Sequence, residues 1–356
     1  MKSKFITLKL GIKKNKTDGL LISLSKESIT ELIFTINKFA AAPVIISKHN
    51  ITKSNPKYIF INSGNANACT GKEGLANTKK ILNLLANRLN CNSYEIIIMS
   101  TGIIGRQLPI DDIQESITKN TFNNYSTLKD AATAVMTTDK YPKYLSKQYQ
   151  IGSKKITFSG LCKGAGMIEP NMATMLAFVE TDVSITKSKL KKYLNYCTNL
   201  SFNVISVDGD MSTNDCVAFT STNLVNIDLK NKNNEKKLLE YAVDFFIQLS
   251  SKIVKDGEGA TKIIKLNISN AKTKTLAQVI SRKISNSLLV KTAMYGEDPN
   301  WGRIIASLGS INDSALNVGK VKLFINKILC FENGIPMDAG SKRLARSMKK
   351  NNIEIT

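Results

Sequence analysis

The sequence has 356 residues, enough for one large domain or two ordinary ones at roughly 100–200 residues per domain. Hydrophobic residues make up 42% of the chain and charged residues 22%, so a sizeable core is possible and global disorder is excluded. The net charge is +22, but only six of the 50 basic residues are Arg, and the Lys residues are scattered. Because recognition of phosphates and bases favours Arg, we interpret this charge as a solvated surface and predict no nucleic-acid partner.

Membrane, metal and histidine chemistry are also disfavoured. No apolar run approaches the ~18 residues of a membrane span, and the N-terminus lacks a signal-peptide pattern, so we predict a cytoplasmic protein without a membrane partner. No two of the six cysteines are closer than 19 positions, so we expect reduced thiols, no metal site and no bound cofactor. His49 is the single histidine, so the general base of any enzyme here is expected to be another group.

Strand and helix patterns alternate along the chain. In chain order, apolar spacing predicts a strand at 58–62, a helix at 72–89, a strand at 95–99, a helix at 126–136, strands at 155–159 and 174–180, a helix at 235–254, a strand at 262–268, a helix at 275–285 and a strand at 287–295. We interpret the polar stretches 139–154 and 227–237 as surface loops or linkers. The alternation predicts a layered α/β protein.

Two loops that flank predicted strands could carry chemistry. In residues 100–105 a glycine would let the backbone approach a ligand and donate an amide to developing negative charge, although an ordinary turn explains the pattern equally well. In residues 163–176, Thr174 opens an apolar strand after an irregular loop. A threonine becomes a nucleophile when it starts a chain, because its own α-amino group then serves as the base. On spacing alone, a β-branched strand residue is the simpler interpretation.

Two acidic turns follow. Residues 207–215 hold three acids, which suggests a hard-cation site, but Asp, Ser, Thr and Asn also build self-capped turns, and we favour the structural interpretation. Glu258 lies between two glycines after the helix predicted at 235–254. It is expected to be either a solvated acid or a ligand for a cationic substrate.

These segments are similar to those of a known family. The segment KGAGMIEPNMATMLAF resembles the autoprocessing site of the ornithine acetyltransferase family, also called the bifunctional arginine biosynthesis proteins. Further blocks resemble the family in the family's order: FTINKFAAAPV, NSGNANACTG, STGIIGRQLP, MTTDKYPK, SVDGDMSTND, DGEGATK and GEDPNWGRI. Because eight ordered blocks span the sequence, it is identified as a member of this family.

The resemblance implies a self-processed enzyme with an α/β/β/α sandwich fold. The chain would cleave itself between Ala173 and Thr174, giving an α chain of residues 1–173 and a β chain of residues 174–356. Thr174 would take an acetyl group from N2-acetylornithine and pass it to glutamate, in the cyclic route of arginine biosynthesis. Some members also use acetyl-CoA as the donor. The expected assembly is a heterotetramer of two α and two β chains.

The resemblance also assigns residues to roles. Thr101 and Gly102 match the family's oxyanion pair. Thr137, Lys163, Thr174 and Glu258 match its substrate-contacting positions, although Thr138 offers a second threonine beside Thr137. A lysine charge suits the α-carboxylate of the substrate and a glutamate charge suits its amine. The side chains expected to hold the loops in shape are those of Asn65, Asn67, Asp208 and Asp210.

Two alternatives stay open on the sequence. One is a related self-processing aminopeptidase with an N-terminal nucleophile, which would transfer its acyl group to water. The other is a folded remnant with weak or no transferase activity. Family members continue beyond a segment like MKKNNIEIT into a tail with an Asn and a Thr or Ser that contact the substrate, and this sequence has no match for either. A chain without them is expected to cleave itself but to transfer acetyl poorly.

Overall fold

The computed structural model describes residues 2–169, 175–313, 316–337 and 341–356. They form two compact units, Met1–Glu258 and Gly259–Thr356. The predicted cleavage junction falls within the range of the first unit, but Ala173 and Thr174 themselves lie outside the described residues. Over the described ranges, no helix is both long and apolar enough to cross a membrane.

The described part of the first unit alternates strands and helices. Its strands are β1 Lys4–Leu8, β2 Gly19–Ser23, β3 Ile29–Phe34, β4 Tyr58–Asn65, β5 Ile96–Ile103, β6 Lys143–Ile151, β7 Lys154–Lys163, β8 Leu176–Val183 and β9 Cys216–Val225. Its α-helices are α1 Ala42–Lys53, α2 Gly71–Leu89, α3 Ile110–Lys119, α4 Leu128–Ala134, α5 Lys187–Leu200 and α6 Lys232–Lys255.

These strands form two sheets. The first has the order β1-β2-β4-β5, in which only β4 and β5 run parallel. The second has the order β3-β9-β8-β7-β6, in which only β8 and β9 run parallel. The first sheet is built entirely from residues before the predicted cleavage junction, whereas the second combines strands from both sides of it.

Both faces of the two sheets are buried. Met99 of β5 and Phe178 of β8 belong to one hydrophobic cluster, which lies between the sheets. Their chain neighbours point the other way: Ile98 packs with residues of α2 and α3, and Val179 packs with residues of α5 and α6. Successive side chains on a strand alternate between faces, so a strand that is apolar throughout needs cover on both sides. The layers therefore follow the order α/β/β/α, and the predicted fold class is confirmed.

The second unit has a sheet and helices of its own. Its described elements are α7 Lys274–Ser285, α8 Leu288–Tyr295, α9 Gly302–Gly309, α10 Lys342–Met348, β10 Ile263–Leu266, β11 Lys322–Ile325, β12 Ile328–Glu332, β13 Ile335–Pro336 and β14 Asn352–Ile355. The sheet order is β10-β14-β11-β12-β13, with only β10 and β14 parallel. Its core joins Leu276, Ile304 and Leu344 of the helices to Ile325 and Ile353 of the sheet.

The predicted strand at 287–295 is wrong, because this segment is the helix α8. The side chain of Ser287 caps the helix by accepting a hydrogen bond from the backbone N–H of Val290. The buried residues are Val290, Ala293 and Met294, whose spacing of three and four positions marks one face of a helix. A short apolar run does not by itself distinguish a buried strand from a helix.

The two predicted loops are also partly wrong. Most of 139–154 forms β6, an edge strand that pairs with β7 along its whole length. Its exposed positions explain the polar composition from which a loop was predicted. The end of 227–237 belongs to α6, which begins at Lys232 after an N-cap at Asn231. The helices predicted at 72–89, 126–136, 235–254 and 275–285, and the remaining strands, are confirmed with shifted ends.

Candidate active site

Thr101 and Gly102 lie near the end of β5, beside Gly64 of the parallel strand β4. The φ angle of Gly102 is +133°, and a Cβ atom built on it would lie 2.2 Å from the carbonyl carbon of Gly64. Only a glycine tolerates that contact without a shift of the strands. The Thr101–Gly102 peptide is therefore held against its neighbour, which is the preorganisation that an oxyanion site requires.

Lys163 ends β7 and reaches the same place. Its ammonium group donates a hydrogen bond of 3.0 Å to Thr101 Oγ1, and each of the two residues is only 3% exposed. Because the threonine oxygen accepts this bond, the hydroxyl hydrogen of Thr101 is free to donate to a second acceptor. The pair can thus present a polarised O–H donor to a negatively charged oxygen.

Buried charges surround Lys163. Burial lowers its pKa, and the positive charges of Lys143 and Lys13 act in the same direction, whereas the carboxylates of Asp139 and Asp215 act against it. The pKa of Asp139 lies below its usual range: burial by itself would raise it, but the charges of Lys163 and Lys143 outweigh that effect. Asp139 is therefore the ionised group that favours a charged Lys163.

The sheet register brings the chain after the predicted nucleophile to this site. Leu176 of β8 pairs with Lys163 of β7. The backbone N–H of Met175 donates a hydrogen bond of 2.8 Å to Oδ1 of Asp215, a fully buried residue. Thr174 directly precedes Met175 in the chain and lies outside the described residues. The residues that follow it are held on the second sheet, in register with Lys163.

The two threonines of the substrate motif make different contacts. Thr138 Oγ1 donates a hydrogen bond of 2.6 Å to Glu258 Oε1, and both residues are exposed. Thr137 donates its backbone N–H to Asp139 at 2.9 Å. The backbone N–H of Glu258 donates to the carbonyl oxygen of Ala165 at 2.8 Å, which keeps the glycine-flanked turn near the end of β7. Thr138 is thus arranged with Glu258, while the backbone of Thr137 is anchored to a buried carboxylate.

Polar side chains shape the loops of the site, as predicted for Asn65, Asn67 and Asp208, whereas Asp210 contributes its backbone N–H. The carboxylate of Asp208 accepts backbone N–H groups from residues 167–168 and from Asp210. The side-chain amide of Asn65 donates to the carbonyl oxygens of residues 106–107. Asp208 therefore caps a turn, which supports the structural interpretation of its segment.

Asn214 was not singled out by the sequence analysis, yet it ties two loops together. Its side-chain amide donates to the carbonyl oxygens of Ala66 at 2.6 Å and Ser100 at 2.9 Å. Asn67, which was predicted to hold a loop, donates to Thr78 Oγ1 at 2.7 Å. The Asn214 amide thus fixes the backbone just before Thr101, whereas the Asn67 amide holds the start of α2. An Asn-rich sequence does not distinguish either of them from surface amides.

The sequence analysis also missed the burial of Asp139, Lys143, Asp215 and Asp256, of which it had counted only Asp215, among the acids of residues 207–215. Asp139 and Lys143 stand four positions apart within a motif that carried the family resemblance, and this spacing was the only available signal. In a chain with so many lysines, burial of one cannot be inferred from composition. His49 is exposed on α1. Over the described residues, no three His, Cys, Asp or Glu side chains gather as a metal site requires.

Sequence comparison finds similar proteins over nearly the whole chain. The sequence model of the ArgJ family matches residues 4–356. The mitochondrial arginine biosynthesis bifunctional protein ArgJ of Dictyostelium discoideum is 45% identical over 310 residues, which cover 85% of this chain and 70% of the relative. The arginine biosynthesis bifunctional protein ArgJ of Lactococcus lactis is 39% identical over 352 residues, which cover 96% of this chain and 86% of the relative.

Solved structures of similar proteins match about half of the chain. The arginine biosynthesis bifunctional protein from Bacillus halodurans is 30% identical, covers 48% of this chain and 91% of its own, and has a TM-score of 0.42. The ornithine acetyltransferase of Mycobacterium tuberculosis, in complex with ornithine, is 28% identical. It covers 47% of this chain and 91% of its own, and has a TM-score of 0.40.

Proposed function

Because the chain belongs to the ArgJ family, we propose that it moves an acetyl group from N2-acetylornithine to glutamate through an acetyl-threonine intermediate on Thr174. This family membership confirms the prediction made from the sequence motifs. It also decides against the related aminopeptidase. The chain is accordingly an acyltransferase of arginine biosynthesis, and the steps below assign its residues to that activity.

The first step is self-cleavage. The Thr174 hydroxyl attacks the carbonyl carbon of Ala173, the peptide nitrogen leaves as the α-amine of Thr174, and the chain is joined by an ester. Water then hydrolyses the ester, which frees the Thr174 hydroxyl and the carboxylate of Ala173. The new α-amine has an ordinary pKa of about 7.7–8.0, so it can act as the base that the chain otherwise lacks.

Acetyl transfer then takes place in two half-reactions. The Thr174 hydroxyl attacks the acetyl carbon of N2-acetylornithine, and ornithine leaves after its nitrogen takes up a proton. The amine of glutamate attacks the acetyl-threonine, gives up a proton and leaves as N-acetylglutamate. In both steps, negative charge on the acetyl oxygen is stabilised by the donors at Thr101 and Gly102.

One observation supports this proposal above the others. Lys163 donates to Thr101 Oγ1 at 3.0 Å and pairs in the sheet with Leu176, two residues after the predicted nucleophile. The oxyanion donor, a buried cation and the strand that follows Thr174 therefore share one end of the two sheets. That placement suits charge developing on an acyl oxygen next to Thr174.

Substrate recognition is proposed for the same end, where Glu258 is exposed and Lys163 is buried. Glu258, with Thr138 bonded to it, offers a negative charge to the substrate amine. Lys163 offers a positive charge on the side of the substrate carboxylate, with the Thr137 backbone anchored nearby through Asp139. No bound cofactor takes part. Acetyl-CoA as an alternative donor, and assembly into a heterotetramer of two α and two β chains, are further parts of the proposal.

Mass spectrometry of the purified, folded protein tests the nucleophile. We expect two fragments, with the second beginning at Thr174. Thr174→Ala should stay uncleaved and inactive, whereas Thr174→Ser should retain some cleavage because it keeps a hydroxyl. Thr133→Ala, on the exposed side of α4, is the control and should cleave normally. A single intact chain of 39.2 kDa in folded wild-type protein would contradict the proposal.

A transfer assay tests the reaction itself. The cleaved protein is supplied with acetyl-labelled N2-acetylornithine, with and without glutamate, and the products are separated by mass. Labelled N-acetylglutamate is expected, with little free acetate. Acetate in place of N-acetylglutamate would identify water as the acceptor and a hydrolase. The same assay with labelled acetyl-CoA decides whether that donor is used.

A further inference from the structure

A fully buried group of three charges lies behind the candidate site. The ammonium group of Lys143 donates hydrogen bonds of 2.5 Å to Asp139 Oδ1 and to Asp256 Oδ2. The side chains of all three residues are 0% exposed. We call Lys143, Asp139 and Asp256 the charge triad. They come from β6, from the loop before it and from the C-terminal end of α6.

Asp139 joins two segments of the site to the triad. Its carboxylate accepts the backbone N–H of Thr137 at 2.9 Å and that of Gly164 at 2.8 Å. Gly164 follows Lys163 directly and has a φ angle of +146°, which is strained for any residue with a side chain. The carboxylate thus holds the position next to Lys163 and the threonine motif at once.

Asp256 joins a third segment. It accepts the backbone N–H of Lys140 at 2.9 Å, and it stands two positions before Glu258. The segments of Thr137, Lys163 and Glu258 are therefore each connected to the triad within two residues. These are the residues matched to substrate contacts, although they lie far apart in the sequence.

We propose that Lys143 is a positioning residue, which through Asp139 and Asp256 holds the three substrate-contacting segments in register with one another. The proposal rests on the proposed function, because the substrate contacts are defined by it. Lys143 is itself buried and bonded to both carboxylates, so it acts through them and not on the substrate.

The triad is not optimised for stability, which supports a positional role. Burying ions removes them from water, and an apolar substitute of similar volume is often no less stable than a buried ion pair. Within the described residues, Asp256 Oδ1 is also buried without a hydrogen-bond partner, which adds an uncompensated cost of desolvation. What the ions supply and an apolar cluster cannot is directional bonding to three backbone amides.

The triad also sets the charge around Lys163. The charged groups that act on its ammonium are the carboxylate of Asp139 and the ammonium groups of Lys143 and Lys13. Burial raises the pKa of Asp215, so that residue adds a negative charge only where it ionises. The pKa of Lys163 is already lowered by burial, so loss of the Asp139 charge would lower it further. Lys163 would then lose its proton at a lower pH, and binding of a substrate carboxylate would weaken from that lower pH upward.

Substitution of Lys143, with a matched control on the same two elements, tests the proposal. Lys147 of β6 bonds Asp244 of α6 at 2.8 Å, but this pair is partly exposed, at 39% and 46%. For Lys143→Met we expect kcat/KM for N2-acetylornithine to fall ~10- to 100-fold, mainly through KM, because substrate groups are misplaced. For Lys147→Met we expect a change within about twofold, as for an exposed ion pair.

A double variant separates positioning from folding. Lys143→Met alone leaves two buried carboxylates without their cation, and the protein could lose its fold. Lys143→Met combined with Asp256→Leu removes one of those charges, so its thermal midpoint should recover towards wild type while KM stays raised. If KM recovers together with the midpoint, Lys143 serves stability alone and the proposal is overturned.

The pH profile of Asp139→Asn completes the test. The rise in KM with pH should begin at a lower pH than in wild type, which a purely structural defect would not produce. Provided that the wild-type protein is active, an unchanged pH profile of Asp139→Asn overturns the inference. Equal effects of Lys143→Met and Lys147→Met on KM overturn it as well. If wild-type protein neither transfers acetyl nor binds N2-acetylornithine in calorimetry, the proposed function itself is wrong, and the two failures are thus distinct.

Discussion

At the scale of single residues, the site depends on close backbone contact and on buried charge. Gly102 touches the backbone of β4 so closely that a methyl group has no room, and Asp215 holds the amide of the residue after Thr174. A steric contact and a hydrogen bond to a backbone amide are not themselves steps of the reaction. Each sets where a reacting group sits, and a small substitution should therefore have a large effect.

Gly102→Ala should impair both cleavage and transfer. Its Cβ would lie 2.2 Å from the Gly64 carbonyl carbon, so β5 must move and the oxyanion donors move with it. Loss of one such donor typically costs about 10²–10³ in rate. The control is Gly105→Ala, which also has a positive φ but meets no atom within 4 Å. The initial rates of cleavage and transfer are measured for both variants. Equal losses of rate in the two variants would contradict a steric cause.

Asp215→Asn should flatten the dependence of stability on pH. Burial raises the pKa of Asp215 well above its usual range, so the folded state keeps a proton that the unfolded chain releases near pH ~4. A raised folded pKa contributes stability that is full below the unfolded pKa and is lost as pH rises through the folded pKa. The asparagine can still accept the Met175 amide but does not titrate.

Urea unfolding at several pH values measures this effect. The wild-type free energy of unfolding should fall, relative to the variant, as pH rises from about 4. Within the described residues Asp215 Oδ2 has no hydrogen-bond partner. The proton of the folded wild-type carboxyl and the NH₂ group of the variant are both buried donors, so we expect the two proteins to differ mainly in how stability changes with pH. Parallel curves for the two proteins would show that Asp215 titrates alike when folded and unfolded.

At the scale of elements, caps and burial decided what apolar runs left ambiguous. The segment 287–295 has the composition of a buried strand but forms α8, because Ser287 caps its first turn and one face packs into the core. The segment around β6 has the composition of a loop but extends a sheet as its edge. In both segments the deciding interaction lies with another part of the chain.

Ser287→Ala should destabilise the second unit by about 1 kcal/mol, as is typical for loss of an N-cap. The serine oxygen accepts the backbone N–H of Val290, which otherwise has no acceptor within the helix. Leu288→Ala is the control, because Leu288 is 75% exposed. Chemical denaturation followed by circular dichroism gives both values. A denaturation midpoint for Ser287→Ala equal to that of the control would show that the Ser287 cap does not stabilise the helix.

At the scale of the whole molecule, the predicted cleavage junction passes through the second sheet of the first unit. Strands β3, β6 and β7 precede residue 173, whereas β8 and β9 follow it. The pairs β7–β8 and β3–β9 thus join the two predicted chains, as does the core that contains Phe158 and Phe219. Cleavage there removes one peptide bond but none of these strand contacts.

We therefore expect the two chains to remain associated after cleavage. In size-exclusion chromatography under native conditions they should elute together, and they should separate only in denaturant, since separation would expose this apolar core to water. The elution volume also reports the number of αβ units. Chains that separate in native buffer would show that the sheet does not survive cleavage.

The sequence by itself determined the family, the alternation of strands and helices, and the candidates Thr101, Gly102, Lys163, Thr174 and Glu258. Motif order and hydrophobic spacing are local properties of a chain, and these follow from them. Only the tertiary structure decided that Lys143 is completely buried, that the Thr138 hydroxyl donates to Glu258, and that Asp215 holds the Met175 amide. Burial and pairing join residues that are distant in the sequence, and no local pattern records which lysine or carboxylate the fold has removed from water.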